Sequence, residues 1–168
     1  RLESREPVSM SDGLGLSELV TFALEDMIDA LERFDRSVLV NIQPDVRVRG
    51  NANLMELLVS NLLGNANKYA VAGAQISITL KAQDGAFRLS VANTGSSFSP
   101  DVAGRAFELF SRGSSNSDLP GVGIGLSLVN AIAQRHGFRA EITPVAGMAE
   151  VVISGATCPD SATRRIRP

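Results

Sequence analysis

Between Ile76 and Val91 the chain alternates apolar and polar residues in two runs. Ile76, Ile78 and Leu80 are separated by Ser77 and Thr79, and Phe87, Leu89 and Val91 by Arg88 and Ser90. A period of two puts each apolar set on one face of a strand. Ala82-Gln83-Asp84-Gly85 lies between the runs and predicts a hairpin. Such a ribbon is apolar on one side only, so it needs a second layer there and leaves its other face to water. Helical spacing supplies that layer. Leu16, Leu19, Val20, Ala23, Leu24, Met27, Ile28 and Leu31 recur at three- and four-residue steps, predicting an amphipathic helix over 16–34. A second helix is predicted over 52–70, with Asn53 and Glu56 as a capping box. A third runs from Ile124 to His136, where Gly137 is a fitting stop. Val38–Ile42 and Val46–Val48 read as short strands around Pro44-Asp45, and Arg139–Thr143 with Met148–Ser154 as a final hairpin. The economical fold is a two-layer α/β sandwich, with a mixed, mainly antiparallel sheet covered on one face by three helices. Residues 1–15 read as a linker stub, 16–154 as the domain and 155–168 as a loose tail.

Composition narrows the function. The 168 residues carry 16 Lys and Arg against 18 Asp and Glu, a formal charge of −2, so the strong basic field of a nucleic-acid binder is missing. A phosphate ligand needs only a few donors and stays open. Cys158 and His136 are single residues of their kinds, which excludes an intrachain disulfide and argues against Cys- or His-ligated metal. No apolar run approaches the ~20 residues of a membrane span, and no signal peptide is legible. A soluble domain from a reducing compartment is expected.

Three segments depart from what folding alone requires. On the second predicted helix, Asn61, Asn65 and Lys68 fall at i, i+4 and i+7 and form one polar stripe. Asn is a poor mid-helix residue. The stripe is either a solvated face or the lining of a polar cleft, where amide oxygens suit a metal ion and Lys suits phosphate. Gly121-Val122-Gly123-Ile124-Gly125-Leu126 opens the third helix. Alternate glycines let backbone approach a ligand, and the helix start offers free N–H groups, which together make a phosphate cradle. No strand-led dinucleotide fingerprint and no Gly-Lys-Ser/Thr phosphate loop accompanies it. Val91-Ala92-Asn93-Thr94-Gly95 ends a strand in a polar side chain, which serves either an ordinary turn or recognition of a ligand edge.

Together these segments resemble the ATP-binding catalytic domain of sensor histidine kinases, over about residues 16–154. That domain shares its superfamily, and its Bergerat-type fold, with gyrase, the mismatch-repair ATPase and a heat-shock chaperone. Asn61 to Tyr69 is similar to the asparagine box, Val91 to Gly95 to the first glycine box, Phe107 to Arg112 to the phenylalanine box, and Gly121 to Leu126 to the second glycine box. The four occur in the family's order. The resemblance implies ATP and Mg²⁺ as cofactors. Asn65 is then the Mg²⁺ ligand, Asn61 supports the phosphate end, Lys68 pairs with phosphate and Tyr69 lines the adenine or ribose. Asn61, Asn65 and Lys68 form the catalytic set. Asn93 accepts from the adenine amine, with Gly95 and Arg112 also counted among the nucleotide contacts. Gly121, Val122, Gly123, Ile124, Gly125 and Leu126 wrap the phosphates, and the stretch from Arg112 to Gly121 forms a mobile lid. Phe107 and Phe110 are expected to anchor the base of that lid in the core.

Three departures qualify the likeness. The family usually has Asp where this chain has Asn93, and a neutral acceptor bonds the amine less strongly, at ~0.5–1.5 kcal/mol against ~1.5–3 for a charged one. Ser97 stands where a second Gly is frequent. The superfamily's ATPase branches place a general-base Glu four residues before the metal-binding Asn, and here that position is Asn61, which cannot take a proton from water. Phosphoryl transfer to an acceptor elsewhere is therefore favoured over hydrolysis. His136, at the end of a helix, is expected to be structural and not the acceptor. The resemblance implies the catalytic domain of a two-component sensor histidine kinase, passing the γ-phosphate to a histidine on a separate dimerisation and phosphoacceptor helical domain. A response regulator is reached indirectly, with no nucleic acid and no direct membrane contact. The expected location is the cytoplasm, with inner-membrane anchoring of the parent protein left open. The alternatives are a degenerate, non-catalytic nucleotide-sensing or protein-interaction module and an anti-sigma-factor serine kinase.

Overall fold

The computed structural model describes residues 8–95, 124–145 and 147–159. In chain order these form β1 (Ser11–Gly15), α1 (Leu16–Leu31), β2 (Ser37–Ile42), β3 (Arg47–Gly50), α2 (Ala52–Tyr69), β4 (Gln75–Gln83), β5 (Ala86–Thr94), α3 (Ile124–Arg135), β6 (Arg139–Val145) and β7 (Met148–Ala156). Five strands make one sheet in the order β2-β4-β5-β7-β6, with β2 and β4 parallel and every other pairing antiparallel. β1 and β3 form a separate two-stranded ribbon. The alternating hairpin is present. Asp84 and Gly85 at its tip both have positive φ, 54° and 78°, the handedness a two-residue turn needs to match strand twist.

One face of the large sheet is the floor of the core. Ile76, Ile78 and Leu80 of β4, Phe87, Leu89 and Val91 of β5 and Val151 and Ile153 of β7 are buried there. Leu16, Val20 and Leu24 of α1, Leu58, Leu62 and Leu63 of α2 and Val129 and Ile132 of α3 join them in one cluster. α2 packs between α1 and α3. The Phe87 and Phe138 rings meet edge to face at 4.9 Å, and a Cβ at Gly155 would lie 2.4 Å from the Phe138 ring. The two-layer sandwich expected from the periodicities is the architecture observed.

Several boundaries differ from expectation. Ser11–Gly15, expected in the linker, is a strand, because its backbone pairs with β3, more than thirty residues downstream. The second predicted short strand lies at Arg47–Gly50 rather than Val46–Val48. α1 stops at Leu31 instead of residue 34, where Phe34 and Asp35 take positive φ values of 59° and 58° to turn the chain into β2. The cap of α2 is Asn51 and not Asn53. Asn51 is extended, and its Oδ1 accepts the Leu54 N–H at 3.0 Å. β7 runs through Gly155 and Ala156 into the expected tail, and the amides of Thr157 and Cys158 donate to Gly85 and Arg47 carbonyls.

Candidate functional site

α2 is two-sided by design of its sequence. Met55, Leu58, Val59, Leu62, Leu63 and Ala66 are buried, so the residues between them face outward. Ser60, Asn61, Gly64, Asn65, Lys68 and Tyr69 line a cavity of about 290 Å³ together with Gly125 from the first turn of α3. The stripe predicted from i, i+4 and i+7 spacing is thus the wall of a cleft. Asn61 donates from Nδ2 to the Leu57 carbonyl at 2.7 Å, and its Oδ1 faces the start of α3. A Cβ at Gly125 would sit 3.0 Å from that Oδ1, so glycine lets the start of α3 come up to the asparagine. Lys68 is exposed, with its Nζ 5.5 Å from the Tyr69 ring centroid.

The cleft therefore offers amide oxygens, one ammonium group and a helix N-terminus along a short wall. This set suits a polyphosphate, since cations and helix N-termini both favour anions. It also suits Mg²⁺, a hard cation that keeps most of its shell as water and phosphate oxygen and needs one or two oxygen donors from protein. Among the described residues no group of three His, Cys, Asp or Glu could hold a metal by itself. A metal here would be held by an asparagine oxygen jointly with its ligand.

Other expected site residues fall elsewhere. Asn93 is 4% exposed at the end of β5, opposite Ile76 and Ala149 and on the helix-covered side of the sheet. It does not line the α2/α3 cavity. Gly95 follows with φ 83°, its N–H donating to Gly147 at 3.0 Å, and a Cβ there would meet the Val71 side chain. The Leu126 side chain is in the core at 1% exposure, which leaves only its backbone for a ligand. Ile124 opens α3. Ser97, Phe107, Phe110, Arg112, Gly121, Val122, Gly123 and the expected lid lie outside the described residues.

Two features escaped sequence reasoning. Ser60 and Gly64 belong to the wall because they stand eight and four residues before Lys68, a spacing that the asparagines overshadow. Arg36, from the turn after α1, donates from Nη1 to Asn67 Oδ1 at 2.7 Å and from Nη2 to the Ala70 carbonyl. A cation on the last carbonyl of a helix is favoured by the helix dipole. No local signal links residues thirty-one positions apart.

His136 has a role of its own. Its Nδ1 lies 2.8 Å from the Ile132 carbonyl, and its Nε2 accepts the Asn51 N–H at 3.0 Å. The neutral ring with its proton on Nδ1 satisfies both contacts. It locks the end of α3 to the start of α2.

The model of the histidine kinase-, DNA gyrase B- and HSP90-like ATPases matches residues 50–158, which hold α2, α3 and the cleft between them. The match takes in well over half the chain, and the chain belongs to that family of ATP-binding domains. Curated relatives are sensor kinases. The chain is 30% identical over 122 residues to sensor protein BasS of Escherichia coli K12, covering 72% of this chain and 33% of that protein. It is 31% identical over 156 residues to sensor protein QseC of Salmonella typhimurium, covering 92% and 34%. It spans about a third or less of the length of the sensor proteins it matches. Among solved structures, the catalytic domain of histidine kinase ThkA superposes with a TM-score of 0.73 at 18% identity, covering 90% of this chain and 99% of that one, which shows a shared fold.

Proposed function

We propose that this domain binds Mg·ATP in the α2/α3 cleft and supplies the γ-phosphate to a histidine on a separate helical phosphoacceptor domain, as part of a two-component sensor kinase. The observation that carries the reading is the wall itself, where Asn61, Asn65, Lys68 and Gly125 converge on one cavity. Mg²⁺, when bound, neutralises and orients the polyphosphate. Asn65 presents an oxygen to it, Asn61 lies against the start of α3, and Lys68 balances phosphate charge. The exposed Lys68 is free to follow the ligand because its stem is flexible. Asn93, at the end of β5, accepts from the adenine amine, and Tyr69 packs beside the base or ribose. Asn61 cannot serve as a base toward water, which favours transfer over hydrolysis. The acceptor then passes phosphate to a response regulator. Among the described residues no helix is long and apolar enough to cross a membrane. The cytoplasm is the proposed working place, whatever anchors the parent protein.

Calorimetric titration of Asn65→Ala tests the reading. Affinity for Mg·ATP should fall at least tenfold, about 1.4 kcal/mol, while affinity for metal-free ATP changes little. Equal losses with and without Mg²⁺ would remove Asn65 from the metal.

A further inference from the structure

The two edges of the large sheet are treated differently by the sequence. β6, at one edge, carries Arg139, Glu141 and Pro144, the charges and proline that keep an edge from pairing with other chains. β2, at the other edge, reads Ser-Val-Leu-Val-Asn-Ile, with no charge and no proline. Its six residues pair with β4 in unbroken register, so no bulge twists the edge away. Among the described residues no strand lies on its outer side. Leu39 is 54% exposed and Val40 47%. An unguarded apolar edge of this kind is a template for one more strand.

A groove continues the same surface. Glu18, Phe22 and Glu25 of α1 line it with Ile42, Pro44 and Asp45, around a volume of about 400 Å³. Phe22 is 67% exposed at its wall. Ile42 belongs to the groove, and Val40 shares its face of the strand two residues away, a step of about 6–7 Å. α1 carries Glu18, Glu25, Asp26 and Asp29 and no Lys or Arg between Leu16 and Leu31. None of Glu18, Glu25 and Asp45 is in an ion pair among the described residues. The groove thus sets an exposed ring among unpaired carboxylates, beside a strand edge that is ready to pair.

We propose that the α1/β2 edge docks an extended, cationic segment of a separate polypeptide. The segment adds to the sheet outside β2 as a sixth strand. Its apolar residues cover Val40 and Phe22, and its Lys or Arg residues meet Glu18, Glu25 and Asp45. Main-chain bonds to β2 provide attachment, and the charges provide sign selectivity. The proposal is independent of the nucleotide cleft, which is lined by the far end of α2 and by α3.

A fluorescein-labelled octapeptide alternating lysine and valine, titrated into the full chain, tests this by anisotropy and by amide hydrogen exchange. Binding should slow exchange at Val38–Ile42 at least several-fold. Affinity should drop at least fivefold for a glutamate-for-lysine peptide, for Phe22→Ala and for Glu25→Lys. Both substituted side chains are exposed, and ATP binding by these variants should match the parent chain. The idea is overturned by equal binding of the glutamate peptide, by unchanged exchange across β2, or by indifference to Glu25→Lys. It is also overturned if the lysine peptide binds only after removal of residues 160–168, because the chain's own Arg164, Arg165 and Arg167 would then be the occupant. Loss of ATP binding in the parent chain would count against the nucleotide cleft alone.

Discussion

His136 shows how a single side chain can be misread from its type. A lone histidine in an ATP-binding domain of this family invites the role of phosphoacceptor, yet both of its ring nitrogens are engaged, Nδ1 with Ile132 and Nε2 with the Asn51 amide. His136→Ala leaves the Asn51 N–H without that acceptor, and a stability loss of about 1–3 kcal/mol is expected in urea unfolding. Arg36→Met keeps the aliphatic stem but removes the bonds to Asn67 and Ala70. It should cost a similar ~1.5–3 kcal/mol, since charged groups make those bonds, and should loosen the helix end that presents Lys68 and Tyr69. Asn93 calls for a finer prediction. At 4% exposure, a carboxylate there is poorly solvated, and an adenine amine donating to it would offset part of that cost. Asn93→Asp should therefore lower the melting temperature of the free chain and enlarge the upshift caused by ATP. The GTP upshift should shrink, because a carboxylate only accepts and opposes the guanine carbonyl. Equal upshifts with both nucleotides would place Asn93 away from the base.

At the scale of elements, legibility followed periodicity. The β4/β5 hairpin and the three helices were visible because alternation and three- to four-residue spacing are local signals. β1 was invisible. Ser-Asp-Gly-Leu-Gly has no alternation, and what makes it a strand is a backbone ladder to a distant segment. The cap of α2 was misplaced by two residues because Asn51 and Asn53 are equally good caps, and the lock to His136 settles the choice. The cleft wall was legible as a helical stripe, while its opposite side depended on how α3 approaches α2, which no spacing encodes. Gly125 marks that approach. Gly125→Ala gains up to ~1 kcal/mol in helix propensity but presses a methyl against Asn61 Oδ1, whose amide is held by Leu57. Thermal stability should change little while ATP affinity falls several-fold, as read by melting and calorimetry on the same sample. Gly155→Ala should behave oppositely. Its methyl would overlap the Phe138 ring, costing about 1–3 kcal/mol of stability, with nucleotide affinity preserved in whatever fraction folds.

For the whole molecule, the expectation is a domain that binds nucleotide but does not modify itself. The only histidine is committed to packing two helices together, and Asn61 provides no base for water. Labelled ATP should leave the isolated chain unlabelled, and acid-labile phosphate should appear only on an added phosphoacceptor domain of the parent kinase. Positioning is most of phosphoryl-transfer catalysis, and on the proposed reading that geometry forms only when the two domains meet. Acid-labile label that disappears in His136→Ala would show the domain to be self-sufficient.

The strand order also sets a timetable. β5 needs β7 on one side, and β7 follows it by more than fifty residues. A ribosome adding ~5–20 residues per second needs several seconds to cover that stretch, whereas a hairpin forms in ~1–10 μs. The β4/β5 ribbon is therefore born early and waits with one side of β5 bare, facing whatever chaperone or nascent neighbour arrives first. A chain that stalls before Met148 never leaves that state.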